Sequence, residues 1–472
     1  MRSSTVLSGI ILLLSGNLSA AEVLTLDGYI VEVKKENGAY KAAGDLAEGA
    51  KMRAEETKLT TAPVAFASMQ YSYDQRPTVT PAFQGTLTKG TNYSLGLRMN
   101  STIGLQSSLY YSIVETQIVG ASPSLLPLSH FYDTRPTIEL TQSLWRNFFG
   151  SETRATIRAA ESGALAQSYS NRYTQKVAVA QSEVAYYRLA IAREAVLVQK
   201  ESYERSKKIR DWILKQVNMN LADRSDLHQA EAALKVKDLE LQAAVDEEVQ
   251  ASLNFNLQRG VNKQTVSEAL VLPKKKELSD LDLPKRSVRR DDTLAATEQL
   301  KSVQANAEAG LSRVRPTLEL YGSFSLNGRD SELGASSSES FTTQHPYGVV
   351  GLRISSPLNF PVTFETRDGY RKEVIGAETQ VTRKELEEDQ QWTGLLNQFT
   401  QAKNKLTLAY NLEEAQGEKL NFERDRHRRG RTTTFQVLQF EQDYATAQLG
   451  RLKQSFDLLQ THSQLKTFME TL

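Results

Sequence analysis

Two stretches decide the fold of this chain: NLADRSDLHQAE at residues 220–231 and GRTTTFQVLQFE at residues 430–441. They open with Asn220 and Gly430, residue types that tolerate the left-handed backbone conformation that ends a helix. They continue with Ser225 and with a run of threonines from Thr432, whose hydroxyl groups can cap the next helix. Long helical patterns lead into and out of both stretches. The sequence therefore predicts two helical hairpins, whose tips lie 210 residues apart.

The composition restricts the classes of function. The 472 residues carry a net charge of +1, so no global field favours nucleic acid. No cysteine is present, which excludes disulfides, thiolate metal sites and thiol nucleophiles. The five histidines fall in separate segments without a metal-binding spacing, and no catalytic or nucleotide-binding fingerprint occurs. The sequence therefore predicts no enzyme activity, no catalytic residue, no metal and no cofactor.

The first residues have the pattern of a secretory signal. Arg2 precedes the short apolar run VLSGIILLL at residues 6–14, and small residues follow at 19–21. We therefore expect residues 1–21 to be a signal peptide and the mature chain to be exported. No later stretch approaches the about 18 uninterrupted apolar residues of a spanning helix, so the mature chain can enter a membrane only as a closed β-barrel.

The same order of elements occurs twice in the rest of the chain. Residues 22–260 form a predicted first repeat, with a helix, strands within 64–145 and a long hairpin whose tip lies near residue 220. Residues 261–290 form a linker rich in proline and lysine. Residues 291–472 form the second repeat, with strands within 316–357 and a tip near residue 430. The first helix is expected to cover residues 23–62, before Pro63.

Alternation of polar and apolar residues marks the strands, and the long helices carry apolar seams. Four segments of the first repeat alternate, at residues 64–73, 91–99, 108–114 and 136–144. Two segments of the second repeat do so, at 317–324 and 347–354. The helices repeat apolar residues at spacings of three, four and seven, which is typical of coiled-coil packing against neighbouring helices.

This order of elements resembles that of the TolC-like outer-membrane efflux and secretion proteins. The resemblance covers nearly all of the mature chain, and three segments carry it: LTQSL at 140–144 with Arg154 and Ala155 after it, DLHQA at 226–230, and GRTTTFQVL at 430–438. It implies an α+β fold and a homotrimer. Long antiparallel hairpins would form an α-barrel tunnel. Four strands per protomer would form a shared antiparallel transmembrane β-barrel, and the two termini and the 261–290 linker would form a belt around the tunnel.

The resemblance also implies a function. The chain would be a passive exit duct in the bacterial outer membrane, surrounded there by lipid and extending into the periplasm. Its partners would be a periplasmic adaptor protein and, indirectly, an inner-membrane transporter. Efflux of small molecules and secretion of proteins stay open. A second reading without transport, a periplasm-spanning scaffold or receptor with a closed barrel, also stays open. The strand segments argue against a third, a soluble coiled-coil protein.

The resemblance places functional residues at both tips. The adaptor contacts would be Asn220, Leu221, Asp223, Ser225, Gly430, Arg431, Thr432 and Thr433, and the entrance or gating residues would be Asp226, Arg431, Gln436 and Gln439. In the family a first-tip Asp pairs with an Arg after the second-tip Gly. Asp226 occupies the Asp position, but Thr432 stands at the Arg position and Arg431 lies one residue earlier. The two glutamines stand where family members often have acidic residues, so we expect a weaker preference for cations.

Three segments depart from the family or have a second interpretation. Residues 75–134 are longer than the usual first outer loop, and they either extend strands beyond the membrane or add a hairpin. The run RDRHRRGR at 424–431 is interpreted as a solvated helix end that can contact a partner, not as a nucleic-acid site. The aromatic residues Trp145, Phe148 and Phe149 form either an interfacial belt or ordinary core packing.

Overall fold

The computed structural model describes residues 23–470, so the predicted signal peptide at 1–21 lies outside the described residues. The chain divides into two compact units. The helical unit contains Tyr173–Arg290 and the described parts of Met1–Ala43 and Gln390–Leu472. The sheet unit contains Gly44–Arg172 and Asp291–Asp389.

Helices account for most of the described residues. They are α1 (Leu26–Glu36), α2 (Gly38–Ala54), α3 (Pro81–Gln84), α4 (Ser151–Asn218), α5 (Arg224–Gln258), α6 (Lys275–Ser279), α7 (Asp291–Arg313), α8 (Leu333–Glu339), α9 (Phe360–Arg428) and α10 (Thr434–Lys466), with short 3₁₀ turns at Glu55–Thr60 and Phe148–Gly150. The longest, α4 and α9, contain 68 and 69 residues. They contain no proline beyond the first turn, so their hydrogen-bond ladders are not interrupted.

The strands are β1 (Val23–Leu24), β2 (Val64–Asp74), β3 (Leu87–Asn100), β4 (Leu105–Val119), β5 (His130–Ser143), β6 (Ala269–Leu270), β7 (Thr317–Leu326), β8 (Gly328–Asp330) and β9 (Pro346–Ser355). The two shortest, β1 and β6, pair in parallel within the helical unit. All the others belong to one sheet in the sheet unit.

The helical unit has a core in which the N-terminal helix packs against the long helices. The rings of Tyr29 and Phe255 stack with their centroids 4.2 Å apart, and the Tyr29 hydroxyl donates to the Phe255 carbonyl at 3.0 Å. Leu278 of α6 and Leu465 of α10 belong to the same buried cluster. Burial raises the pKa of Tyr29 far above its ordinary value, which keeps this hydroxyl protonated as a donor.

The helix expected over residues 23–62 is not continuous, and that expectation is wrong. Asn37 separates α1 from α2 with an extended backbone. Its side-chain Nδ2 donates to the carbonyl of Gln258 at 2.6 Å, and its Oδ1 accepts from the backbone N–H of Tyr40 at 2.8 Å. The amide thus caps α2 and ties the break to the end of α5, a role that asparagine performs better outside a helix than within one.

The sheet contains six long strands in the order β2-β3-β4-β5-β7-β9, and each neighbouring pair is antiparallel. The four strands expected from the family resemblance are therefore wrong for this chain. The two additional strands, β3 and β4, form a hairpin within the long segment 75–134. Of the two alternatives for that segment, the added hairpin is confirmed. The hairpin forms because residues 91–99 and 108–114 alternate in polarity as the other strands do.

The sheet has one apolar face and one polar face. Leu97 pairs with Ala65 on one side and with Leu109 on the other, and Leu109 pairs with Ile138. Cross-strand partners share a face, so these residues form one apolar row. Leu97, Leu109 and Ile138 are between 41% and 57% exposed, so this row is not covered within the single chain. The opposite face carries Glu139, which accepts from the Tyr110 hydroxyl at 2.9 Å.

The two ends of the sheet differ in the length of their connections. A short turn at residues 101–104 joins β3 to β4, at the end where β5 leads to α4. Longer connections, at residues 75–86, 120–129 and 327–345, lie at the other end. The aromatic side chains of Trp145, Phe148 and Phe149 near the short-turn end are about half exposed, so they are not core residues of this chain.

No helix within residues 23–470 is both long enough and apolar enough to cross a membrane.

Candidate functional site

The first hairpin tip joins α4 to α5 through a left-handed residue. Asn220 has φ of 56°, and the N–H of Leu221 donates to the carbonyl of Gln216 at 2.8 Å, which closes the end of α4. The N-cap of α5 is Asp223, not Ser225, so the expectation that Ser225 caps this helix is wrong. Ser225 lies one residue inside α5, where its hydroxyl cannot occupy the cap position. Leu221 is 70% exposed, so an apolar side chain projects from this tip.

The second tip joins α9 to α10 and has a complete cap. Gly430 has φ of 70°, and the N–H of Arg431 donates to the carbonyl of Arg426 at 2.9 Å. The Thr433 hydroxyl accepts from the N–H of Gln436, and the Gln436 carboxamide accepts from the N–H of Thr433, both at 3.3 Å. This reciprocal capping box fixes the start of α10, as the threonine run predicted.

The two predicted entrance glutamines have local partners. The Gln436 Oε1 accepts from the hydroxyl of Thr432 as well as from Thr433. The Gln439 Nε2 donates to the Oδ1 of Asp443 at 3.0 Å. Gln436 is therefore oriented by the threonines that precede α10, and Gln439 by a neighbour on α10 itself. The carboxylate of Asp443, one turn further along α10, therefore lies beside Gln439.

The predicted latch residues do not pair within one chain. Among the described residues, no ion pair joins Asp226 to Arg431. The Arg431 carbonyl instead accepts from the Arg426 guanidinium at 3.5 Å. Asp226 lies close enough to His427 that its charge influences the histidine. A latch between Asp226 and Arg431 thus stays a prediction, and it would have to join different protomers.

A buried carboxylate that no pattern in the sequence indicates organises the packing behind the tips. Glu441 of α10 is only 1% exposed. Its Oε2 accepts from the Nε of Arg205 on α4 at 2.8 Å, and its Oε1 accepts from Arg424 on α9. Arg205 also lies over the ring of Tyr444 at 5.6 Å. One carboxylate therefore joins three long helices, which is consistent with the rule that buried charges are paired.

A cavity of about 350 Å³ lies beside this carboxylate. Four cationic side chains line it, namely Arg205, Lys208, Arg424 and Arg428, against the single carboxylate of Glu441. The ring of Trp212 forms part of its wall and lies 4.7 Å from the ring of His427. Burial lowers the pKa of His427, and the Asp226 charge opposes that shift. The lining has an excess of positive charge beside an aromatic surface, so its chemistry suits a group that carries a carboxylate.

A larger cavity of about 770 Å³ lies elsewhere in the helical unit. Its polar lining consists mainly of carboxamides, with Gln181, Gln258, Gln391, Gln398, Gln460 and Gln464 among them. The Arg290 guanidinium donates to Gln391 at 2.8 Å and lies over the rings of Tyr173 and Phe468. Uncharged donors and acceptors can hydrogen-bond water or polar solutes without selecting a sign of charge.

Solved structures of outer-membrane channels have the same fold as this chain. The CmeC outer membrane channel of Campylobacter jejuni matches with a TM-score of 0.70 at 15% identity, over 94% of this chain and 85% of that one. The open state of the MtrE outer membrane channel of Neisseria gonorrhoeae matches with a TM-score of 0.65 at 16% identity, over 95% and 89%. The outer membrane protein VceC of Vibrio cholerae matches with a TM-score of 0.67 at 12% identity, over 94% and 96%.

Sequence comparisons add no closer relative. No family model matches the chain, and no curated protein matches it significantly. The structural comparisons confirm the TolC-like resemblance at the level of the fold: long helices combined with an antiparallel sheet, over nearly the whole described chain.

Proposed function

We propose that this chain is a passive exit duct of the bacterial outer membrane. The observation that carries the proposal is the likeness of fold to outer-membrane channels, which extends over 94% or more of the chain. Three copies would close the sheets into one membrane-spanning β-barrel, and their long helices would line a tunnel in the periplasm. The duct performs no chemistry and consumes no energy, because its task is to give cargo a continuous aqueous path.

The two faces of the sheet support the proposal that the sheet lies in a lipid bilayer. The apolar row through Leu97, Leu109 and Ile138 is uncovered in one chain, and such a row is stable when acyl chains cover it. The sheet also ends in two unpaired edge strands, β2 and β9. Unpaired backbone groups are too costly in hydrocarbon, so the edges must pair with edges of other copies. A closed ring of identical sheets satisfies both requirements.

The tips support a role in docking the periplasmic adaptor. Leu221 and Phe435 are 70% and 57% exposed beside two rigid helix ends, which gives an adaptor both apolar contacts and a fixed geometry. The adaptor contacts would include Asn220, Asp223, Ser225, Gly430, Arg431, Thr432 and Thr433. An inner-membrane transporter would act through that adaptor, either in efflux of small molecules or in a secretion system.

The assembly is tested first. The protein is extracted from outer membranes with detergent, its mass is measured, and it is inserted into planar bilayers. We expect a trimer that requires detergent and conducts ions. A monomer that is soluble without detergent would contradict the proposal. A stable membrane trimer without conductance would favour the alternative, a scaffold or receptor with a closed barrel.

The tip assignment is tested by Gly430→Leu. A leucine at a φ of 70° strains the backbone, although an added Cβ would meet no atom within 4 Å. We expect lost transport and a weakened adaptor complex, while the trimer persists. Normal transport with a normal adaptor complex would show that this tip does not dock the adaptor.

Gating is tested by Asp226→Ala and by Arg431→Ala. If these side chains hold neighbouring protomers together at the entrance, each variant should increase the conductance or the open time without changing the stability of the trimer. Each exposed pair contributes only about 0 to 1 kcal/mol, but a trimer repeats the contact three times. The contacts should also weaken in high salt. Unchanged conductance in both variants would remove the latch and leave the duct intact.

A further inference from the structure

The hairpin of β3 and β4 is part of the wall of the sheet and is not an appendage to it. All eleven residues of β2, Val64 to Asp74, pair with β3. The strand β3 pairs along its whole length with β4, from Leu87 opposite Val119 to Asn100 opposite Gln106. The strand β4 then pairs with β5 from Leu105 to Gln117. The hairpin therefore separates β2 from β5 along the full height of the sheet.

The hairpin also continues both faces without a break in the alternation. Leu97 lies in the apolar row between Ala65 and Leu109. Ser94 lies on the other face, between Ser68 and Ser112. Because a shift of one residue would exchange the two faces, this register gives the hairpin the same orientation toward lipid and lumen as the other strands.

The connections agree with a hairpin that spans the membrane. Its two strands, of 14 and 15 residues, are long enough to cross the hydrocarbon region, which takes about 9 to 11 tilted residues. Its turn at residues 101–104 is short, as the periplasmic turns of outer-membrane barrels are. This turn lies against the start of α4, where Arg154 donates to the carbonyl of Thr102 at 3.0 Å.

The segment after β8 packs on the apolar face, not across the polar one. The Thr134 hydroxyl contacts the Ser336 hydroxyl of α8 at 2.9 Å, and the ring of Phe341 stacks on Tyr111 at 5.8 Å. Both Thr134 and Tyr111 belong to the face of Leu109 and Ile138, since each lies an even number of residues along the same strand. The segment thus leaves the polar face to form a lumen.

We propose that three copies of this chain close an eighteen-stranded barrel, whose aqueous lumen admits bulky hydrophilic cargo. The inference rests on the proposed trimeric duct. Six strands per copy give eighteen strands, where the four-stranded copies of the family resemblance give twelve. With strands about 4.8 Å apart and tilted by about 40°, the backbone diameter is roughly 36 Å instead of roughly 24 Å.

The lining of the lumen determines the class of cargo. Arg98, Glu139, Glu319 and Arg353 all lie on the polar face, so charges of both signs line the lumen. Arg353 and Glu319 pair with each other across neighbouring strands at 3.8 Å. Mixed charge keeps the lumen hydrated without a strong preference for one sign. Width, hydration and balanced charge together suit large water-soluble cargo better than small apolar compounds.

The strand order is tested with engineered cysteine pairs, which suit this chain because it has no cysteine of its own. In the six-stranded wall Ala65 is opposite Leu97, whereas two strands separate it from Ile138 by about 14 Å in total, beyond the roughly 7 Å reach of a disulfide. We expect Ala65→Cys with Leu97→Cys to cross-link in the membrane-embedded protein. Ala65→Cys with Ile138→Cys should not cross-link. The pair Ile138→Cys with Phe324→Cys is the positive control, because β5 and β7 are neighbours in both arrangements.

The width is tested by removing the hairpin, Leu87 to Val119, so that Thr86 is joined to Gly120. The strand β2 can then pair with β5 in a register that keeps both faces, because Ala65, Leu97, Leu109 and Ile138 lie in one row. Graded polyethylene glycols are added on the sheet side of planar bilayers, and electron cryomicroscopy measures the diameter. We expect the natural protein to have a backbone diameter about 1.5 times that of the deletion variant and to admit wider polymers. Deletion of only Ser122 to Leu126 in the β4–β5 connection is the control and should leave the width unchanged.

The outcomes separate this inference from the proposed function. A conducting trimer whose barrel has twelve strands, or which cross-links Ala65→Cys to Ile138→Cys, would overturn the wide barrel and leave the duct intact. A protein that forms no channel would overturn the duct itself. If the deletion variant does not assemble, the cysteine pairs and the diameter of the natural protein still decide the strand number.

Discussion

The backbone at two single residues shows how the tips of this chain are specified. Asn220 and Gly430 both have a positive φ, and both were identified from their residue types alone. Such positions are predictable because few residue types tolerate the left-handed region. Glu441 was not identified, although it lies in the quoted stretch, since nothing in a single sequence distinguishes a buried glutamate with two arginine partners from a solvated one. Its partners are 236 and 17 residues away, so only the packed helices bring them together.

A substitution at Gly430 tests backbone strain in the absence of steric crowding. An added Cβ would meet no atom within 4 Å, so Gly430→Ala should be destabilised only through its φ of 70°, by about 1 to 2 kcal/mol. Gly450 lies inside α10, where an added Cβ also meets open space. Gly450→Ala should therefore be neutral or more stable by up to about 1 kcal/mol. Thermal unfolding in detergent measures both variants, and equal effects in the two would contradict the assignment of strain to the second tip.

The Glu441 carboxylate should be the most sensitive charged group behind the tips. Glu441→Gln removes the negative charge that two guanidinium groups share, and we expect a loss of about 3 kcal/mol in the free energy of unfolding. The control is Glu387→Gln, since Glu387 pairs with Arg383 at 2.7 Å on an exposed helix surface and should cost below about 1 kcal/mol. The triple change Glu441→Leu, Arg205→Met and Arg424→Met should recover most of the lost stability. A loss at Glu441 no larger than at Glu387 would show that the buried cluster does not stabilise the fold.

The half-buried His427 should make stability depend on pH. Burial lowers its pKa in the folded chain below the ordinary value of about 6.5, so the unfolded chain takes up a proton first as the pH falls. Its contribution is complete above about pH 6.5 and decreases as the pH falls below that value. Burial and the Lys466 charge lower the pKa of His462 as well, which gives an effect of the same sign.

Substitutions distinguish the contributions of the two histidines to the pH dependence. His427→Gln should flatten the dependence of the melting temperature on pH between about pH 5 and 7, and His462 should account for the remaining slope. The double variant His427→Gln with His462→Gln should have a flatter dependence than either single variant. An identical slope in the natural protein and in His427→Gln would contradict a lowered pKa of the His427 imidazole in the folded chain.

At the scale of elements, the strand pattern was more reliable than the family resemblance. All six segments that alternate in polarity are strands, whereas the resemblance implied only four per protomer. Period-two alternation reports burial of one face directly, so it needs no knowledge of relatives. The interruption between β7 and β8 was not predicted. It lies opposite Pro136 of β5, which has no N–H to donate to a neighbouring strand. The proline that explains the interruption is therefore in the partner strand, and the sequence alone does not reveal which residues of the two strands are paired.

The junction between the sheet and α4 depends on Gly150, whose backbone lies close to that of Thr102. Gly150 has φ of 79°, and a Cβ there would lie 1.8 Å from the carbonyl oxygen of Thr102. Gly150→Ala therefore combines strain with a clash against backbone, and we expect a loss of at least about 2 kcal/mol. Gly334→Ala is the control within the same unit, because an added Cβ there meets nothing within 4 Å. Denaturant unfolding that places the two variants within about 0.5 kcal/mol would contradict a close approach at this junction.

At the scale of the whole molecule, the duplicated order of elements allows the fold to be predicted from the sequence, because a repeat of 210 residues constrains both halves at once. The assembly is harder to predict from the sequence. The edges β2 and β9 have no partner strand within the chain's sheet, and the proposed closure between copies rests on the cost of leaving them unpaired.

The strongest consequence of that closure concerns adjacent residues of β3 that face opposite ways. Leu95 is 66% exposed on the apolar face, whereas Ser94 lies on the polar face opposite Ser68 and Ser112. If lipid covers the apolar face and water fills the other, Leu95→Arg should cost about 2 to 4 kcal/mol per copy, because it buries a charge in hydrocarbon. Ser94→Arg changes the same strand by one residue and should assemble normally, since its guanidinium remains in the aqueous lumen. The yield of heat-resistant trimer in isolated outer membranes measures both variants. Equal yields would mean that the two faces meet the same solvent, which a membrane barrel does not allow.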